Sequence, residues 1–241
     1  MPEILSADVK PLSRKQMATR VASDIAEGWY VNLGIGIPTL IAEMVPPERE
    51  IIFHSENGIL GVGPAPAADA IDPWLINAGK EYVTVRQGAA FFHQADSFAM
   101  IRGGHIDLSV LGAFEVAENG DIANWTTSET NSAPAVGGAM DLAAGAKSLW
   151  VMMEHTTKDG RPRLVHRCSY PLTALGAVKR VYTNLAILEV TPRGFAVLDM
   201  VPGLRLEALQ ARTEAKLIPA LWKRRIQVCQ PAIRRHSRQS Y

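Results

Sequence analysis

Cysteine is nearly absent from this 241-residue chain: Cys168 and Cys229 are its only two, far apart and outside any CxxC spacing. That scarcity argues against a disulfide framework and a cysteine-built metal site, and it fits a reducing cytoplasm. No apolar run approaches the roughly 20 residues that span a bilayer. The opening MPEILSADVKPLSRKQ lacks the apolar core of a secretory leader, so a cytoplasmic protein is expected. The six histidines, at 54, 93, 105, 155, 166 and 236, show neither HxH nor HxxxH spacing, and no metal is expected. Charge of one sign is missing too. The 25 basic side chains nearly cancel 24 acidic ones, so no global field draws in nucleic acid or a membrane. No Walker lysine follows a glycine cluster. Gly34-Ile35-Gly36 lacks the third glycine of a dinucleotide fingerprint, and Pro38 falls inside its window.

What is present is a hydrophobic content of 47%, enough for one substantial core. Ser13 and Gln16 have the spacing of a capping box, and Met17, Val21 and Ile25 recur at helical period before Gly28, which offers a left-handed terminus. Strands are expected at Tyr30–Leu33, Ile51–His54, Tyr82–Val85, Leu108–Leu111, Leu149–Met153, Arg180–Tyr182, Ala186–Val190 and Phe195–Leu198. Helices are expected at Thr39–Met44, Gln94–Arg102, Met140–Ala146 and Leu204–Ala215. This alternation predicts an α/β fold, an open and mostly parallel sheet with helices on both faces and an antiparallel addition after residue 177. Residues 1–12 read as a loose lead-in, 13–217 as a single domain, and 218–241 as a basic, proline-interrupted tail to which no function is attached. Trp125, Trp150, Met152 and Phe91 read as core.

The stretch most suggestive of chemistry is HSENGILGVGPAP, residues 54–66. Glu56 stands at the end of an apolar strand, where open α/β sheets gather reactive groups, and glycines beside it let a bulky ligand approach the backbone. A glutamate so placed can be a base, a metal ligand, a nucleophile or a solvated loop residue. His54, Ser55 and Glu56 are written like a triad, but neighbours on an extended strand point to opposite faces and cannot stack as a relay. Gly137-Gly138, just before a predicted helix, is the best local source of backbone amides for an oxyanion; Gly103-Gly104 reads first as a helix terminus.

SENG followed by ILGVGP, DPWLINAGKE, ADSFAMIRGGH, LGAFEV, GDIANW, VGGAMDL and WVMMEHT resembles, in order, the β (B-type) subunits of 3-oxoacid CoA-transferases. HSENG, GAAFFHQADSF and MMEHTTKDG are similar to the 3-oxoadipate branch. The resemblance implies a CoA-transferase fold, related to sugar-phosphate isomerase scaffolds, and ping-pong transfer from succinyl-CoA to 3-oxoadipate in the β-ketoadipate pathway of aromatic catabolism. Glu56 would carry the CoA as a covalent thioester. Gly137 and Gly138 would contact the oxyanion or thioester, with Ser55, Asn57, Gly58, His93, Arg102 and Gly104 in the vicinity of substrate or CoA. His93 and Arg102 are the candidates for the distal carboxylate of 3-oxoadipate. Coenzyme A would enter as substrate, with no permanently bound cofactor. An α-type subunit would complete the enzyme as αβ or α2β2, and this chain alone would be nearly inactive. Two alternatives stay open: the same chemistry with acetoacetate or a short-chain fatty acid, and a sugar-phosphate isomerase-like or non-catalytic ligand-binding protein.

Overall fold

The computed structural model describes residues 9–127 and 136–219. The expected tail beyond residue 219, the lead-in before residue 9 and Cys229 lie outside the described residues. Val9 is buried at 8% exposure, and Leu12 N donates to the Asn184 carbonyl at 2.8 Å.

The first helix, α1 (Arg14–Asp24), opens with the expected capping box: Ser13 Oγ accepts from Gln16 N at 3.3 Å, and Gln16 Oε1 accepts from Ser13 N at 2.8 Å. Met17, Ala18, Val21 and Ala22 form its buried stripe. The helix ends at Ile25 in an extended conformation, so Gly28, with φ 76°, serves the turn into the first strand and not the helix terminus. Arg49 takes over the capping, donating to the Ala22 carbonyl at 2.7 Å and to the Ile25 carbonyl.

Next come β1 (Tyr30–Leu33), a 3-10 turn (Ile37–Thr39), α2 (Leu40–Met44), β2 (Ile52–Ser55), β3 (Ile59–Val62), β4 (Val85–Phe91) and α3 (Gln94–Arg102). After them run β5 (Leu108–Leu111), β6 (Glu115–Ala117), β7 (Ile122–Ala123), α4 (Ala139–Gly145), β8 (Ser148–Met153) and β9 (Leu164–Val165). The described chain closes with β10 (Val178–Thr183), β11 (Ala186–Thr191), β12 (Gly194–Met200), α5 (Leu206–Gln210) and β13 (Leu217–Pro219).

Ten strands form one sheet in the order β13-β12-β11-β10-β8-β5-β1-β2-β3-β4, and β7-β6-β9 form a second, small one. The centre, β10-β8-β5-β1-β2, is parallel. Both flanks are antiparallel, through β10-β11-β12 on one side and β2-β3-β4 on the other. Central strands buried on both faces read as continuous apolar runs, and β5 and β8 do so here. Alternate residues go to two separate cores. Val31, Phe53, Leu108 and Trp150 pack with Met17, Val21 and Ile41 of α1 and α2. Leu111, Leu149, Val151 and Val181 pack with Ile101 and Leu142 of α3 and α4. Each fully buried aliphatic or aromatic side chain contributes roughly 1.5–3 kcal/mol.

Several expectations shift. The strand expected at Tyr82–Val85 begins only at Val85 and runs to Phe91, because it forms by pairing with β3, itself unread in the sequence. Phe91 is not core: it is 61% exposed, on the edge strand. The helix expected over Leu204–Ala215 shrinks to Leu206–Gln210. The small sheet was not anticipated, since its two-to-three-residue strands are too short to show a period.

Candidate functional site

β1, β2 and β5 are parallel neighbours, so their carboxyl ends lie along one edge of the sheet. The chain departs from β1 to β2 on one side, while β5 lies on the other. Such a reversal of strand order opens a crevice at the strand ends. A cleft of about 520 Å³ lies there, lined by Gly34 and Ile35 after β1, Glu56 after β2, and Leu111 to Phe114 at the end of β5. Ile37, Asn124, Trp125, Val136 to Ala139, Leu142 and Arg163 complete its wall. Glu56, Gly137 and Gly138, separated by some eighty positions in sequence, therefore face one space.

Glu56 is half-buried, the first residue of the β2–β3 hairpin turn. It enters none of the ion pairs among the described residues. Its anchor is Asn32 at the centre of β1, whose Nδ2 donates to Glu56 Oε2 at 3.2 Å. The same amide nitrogen lies 3.1 Å from His54 Nδ1 and donates to the His54 carbonyl at 3.2 Å. Three acceptors around one NH2 fix the orientation of the Asn32 amide, because the flipped group would set oxygen against oxygen. Asn32 Oδ1 is buried without a partner among the described residues.

His54 is itself held. Its Nδ1 accepts from Asn32, so the neutral ring carries its proton on Nε2 and donates to Ser97 Oγ of α3 at 2.8 Å. Burial lowers the His54 pKa to about 4, which keeps that neutral tautomer at ordinary pH. The polar chain Ser97–His54–Asn32–Glu56 thus runs from a helix through the sheet to the cleft. Sequence reasoning missed Asn32 and Ser97. A polar residue in the middle of the apolar strand YVNL was the signal that could have found Asn32.

The remaining expected residues scatter. Ser55 points to the other face, where its hydroxyl accepts from Ala78 N at 2.9 Å and lines a separate cavity of about 280 Å³. The triad-like order His54-Ser55-Glu56 is accordingly no relay. Asn57 is exposed and donates to the Ile76 carbonyl at 2.8 Å, tying the hairpin to the following loop. Gly58 has φ 110°, and a Cβ there would collide with the Phe92 carbonyl oxygen. Its role on this geometry is to let the turn close. His93 caps α3, Nδ1 accepting from Ala95 N at 3.1 Å. Arg102 forms a two-point pair with Asp141, at 2.7 and 3.2 Å, on the surface. Gly104, with φ 72°, follows the end of α3. His93, Arg102 and Gly104 are not among the residues lining the Glu56 cleft.

Among the described residues, no cluster of three or more His, Cys, Asp or Glu side chains could hold a metal, and no helix is long and apolar enough to cross a membrane. The cleft offers a carboxylate, backbone amides beside two glycines, one guanidinium and apolar walls.

Residues 14–211 match the family model of coenzyme A transferase. The chain is 56% identical over 209 residues to the B-type subunit of the 3-oxoadipate CoA-transferase of Acinetobacter baylyi, covering 87% of this chain and 96% of that protein. It is 47% identical over 203 residues to the B-type subunit of the succinyl-CoA:3-ketoacid coenzyme A transferase of Helicobacter pylori, covering 84% and 97%. Among solved structures, the acyl-CoA transferase YdiF of Escherichia coli O157:H7 shares the fold with a TM-score of 0.70 at 18% identity. That match covers 90% of this chain and 44% of the longer YdiF chain. The chain belongs to the coenzyme A transferase family.

Proposed function

We propose that this chain is the glutamate-bearing β subunit of an enzyme that moves CoA from succinyl-CoA to 3-oxoadipate. The observation that carries the reading is Glu56 at a strand end, held by Asn32 at 3.2 Å and facing a cleft that also contains Gly137 and Gly138. A Glu56 carboxylate oxygen attacks the acyl carbon of succinyl-CoA and displaces the CoA thiolate, leaving a mixed anhydride. The thiolate then attacks the glutamyl carbonyl, releases succinate and forms a glutamyl-CoA thioester. The acceptor carboxylate reverses these steps and leaves as its CoA ester. One thioester is exchanged for another through the transient anhydride, so acyl activation is carried over and the scheme requires no metal and no permanently bound cofactor. Amides at Gly137 and Gly138 serve the oxyanion of each tetrahedral centre, where losing one donor costs about 3 kcal/mol.

The 3-oxoadipate acceptor is favoured by the 56% identity to the Acinetobacter baylyi protein, against 47% to the Helicobacter pylori one. Acetoacetate is the second reading, on that latter likeness. Both relatives are named as B-type subunits, which implies an A-type partner for this chain, with αβ or α2β2 stoichiometry. The setting is cytoplasmic aromatic catabolism through the β-ketoadipate pathway, in a single domain over residues 13–217 whose last strand runs two residues further. The test reconstitutes the pair and measures transfer to 3-oxoadipate and to acetoacetate, with Glu56→Gln as the control. The reading predicts higher kcat/KM for 3-oxoadipate and no transfer by the variant. Preference for acetoacetate overturns the acceptor, and an active Glu56→Gln overturns the nucleophile.

A further inference from the structure

We propose that Arg163 binds the distal carboxylate of a dicarboxylic substrate while the substrate's reacting carboxylate lies against Glu56; the inference rests on the reading of Glu56 above. Among the described residues lining the cleft, Arg163 is the one cation and Glu56 the one anion. The Arg163 guanidinium is poorly spent within the chain. Its Nη1 makes a long bond, 3.4 Å, to the Ala113 carbonyl, and its Nε is buried without an acceptor among the described residues. No carboxylate pairs with it among the described residues, whereas Arg20, Arg49, Arg102, Arg161 and Arg180 each have one. A guanidinium offers five donors in a rigid fork, and a buried donor without an acceptor is costly unless a ligand takes it.

The backbone at Arg163 is fixed. Its amide donates to the His155 carbonyl at 3.2 Å, and its carbonyl accepts from Val116 N at 2.9 Å. His155 in turn is fully buried between Thr183 Oγ1 at 3.0 Å and Thr213 Oγ1 at 2.9 Å. The side chain therefore leaves a rigid base and turns to the cleft wall at Ala113.

The cleft suits an acid charged at both ends. One carboxylate reacts at Glu56, which at that stage is a neutral glutamyl-CoA thioester. The other gains from a cation in the same cleft, and Arg is the side chain whose fork matches a carboxylate at two points. The cleft wall also includes Ile35, Leu111, Phe114 and Trp125, apolar surface that fits a methylene chain. His93 and Arg102, the expected donor and cation, are occupied elsewhere by a helix cap and by Asp141. A monocarboxylic acid would leave Arg163 unpaired, so the residue selects for dicarboxylates.

The test uses the complex with the A-type partner and the variants Arg163→Met and Arg163→Lys. Steady-state kcat and KM are measured for succinate and for acetoacetate; for an acid that is not turned over, its inhibition constant replaces KM. Arg163→Met is expected to raise the succinate constant about 100-fold with kcat changed less than about 5-fold, and to leave acetoacetate within about 3-fold. Arg163→Lys keeps the charge without the fork and is expected to raise the succinate constant roughly 10-fold. An equal rise for both acids, or an unchanged succinate constant in either variant, overturns the proposal. If Arg163→Met does not assemble, the same comparison on Arg163→Lys decides. Absence of a CoA adduct on wild-type Glu56 is a separate outcome: it refutes the nucleophile and leaves the acid-selective shift to be read on its own.

Discussion

Asn32 and Glu56 stand 24 positions apart in sequence, and the Asn32 amide donates to the Glu56 carboxylate across 3.2 Å. The donor lies at the centre of the sheet and the acceptor at its edge, so a rigid element aims a side chain that belongs to a turn. On the proposed reading, Asn32→Ala leaves Glu56 its carboxylate but not its aim. Adduct formation is expected to slow about 100-fold, because small displacements of a reacting group cost on that order. Loss of the amide also strips partners from His54, and a stability loss of about 1–3 kcal/mol in urea unfolding should accompany it. Asn32→Asp should be slower still, since it sets carboxylate against carboxylate. A wild-type single-turnover rate in Asn32→Ala would show that the hydrogen bond does not position Glu56.

Two glycines separate backbone demand from space. Gly58 and Gly88 both have positive φ, 110° and 84°. A Cβ at Gly58 meets the Phe92 carbonyl oxygen, whereas one at Gly88 meets nothing within 4 Å. Gly88→Ala is expected to cost about 1–2 kcal/mol, the conformational term alone. Gly58→Ala must also move the backbone at Phe92 and is expected to cost well over about 3 kcal/mol. Comparable denaturation midpoints for the two variants would contradict this account of the hairpin.

Acid stability follows from two buried histidines. Burial holds His54 at about 4, and burial followed by the Arg212 charge holds His155 at about 4. Unfolded histidine titrates near 6.5. Between those values the unfolded chain binds protons that the native chain refuses, so stability is unaffected above about pH 7 and falls as pH drops toward 4. The limit is about 3 kcal/mol for each residue. His54→Gln should flatten the stability-versus-pH curve between pH 6.5 and 4 by about half of the histidine contribution. An unchanged slope in that variant would mean that His54 titrates normally.

Much of the site's frame was legible in the sequence, and its wiring was not. The capping box at Ser13 and Gln16, the strand Tyr30–Leu33 and the helix Gln94–Arg102 appear where local chemistry puts them. Each rests on signals within a few residues. Glu56 was legible for the same reason, as a carboxylate beside glycines at the end of an apolar strand. Asn32 and Ser97 were not, because their roles come from strand register and helix packing across 24 and 43 positions. Arg163 carries no local signal, because only the fold, with β9 beginning at the next residue, sets it against Ala113. His93 and Arg102 drew attention as a donor and a cation. Only the folded chain reveals that one caps a helix and the other meets Asp141.

Arg102 provides a control for that distinction. The pair with Asp141 is solvent-exposed, with Arg102 at 66% side-chain accessibility, and exposed pairs contribute little to stability. Arg102→Ala is expected to change stability little and to leave KM for each acid within about 2-fold. A large, acid-selective rise in KM would transfer the carboxylate-binding role from Arg163 to Arg102.

The most direct measurement mixes the assembled enzyme with succinyl-CoA in the absence of acceptor and weighs the peptides. Covalent carriage by Glu56 predicts that the peptide containing Glu56 gains the mass of one coenzyme A less one water, and that the gain disappears on adding acceptor and is absent from Glu56→Gln. An unmodified Glu56 peptide under conditions of full transfer activity, or the adduct on another residue, would contradict the account.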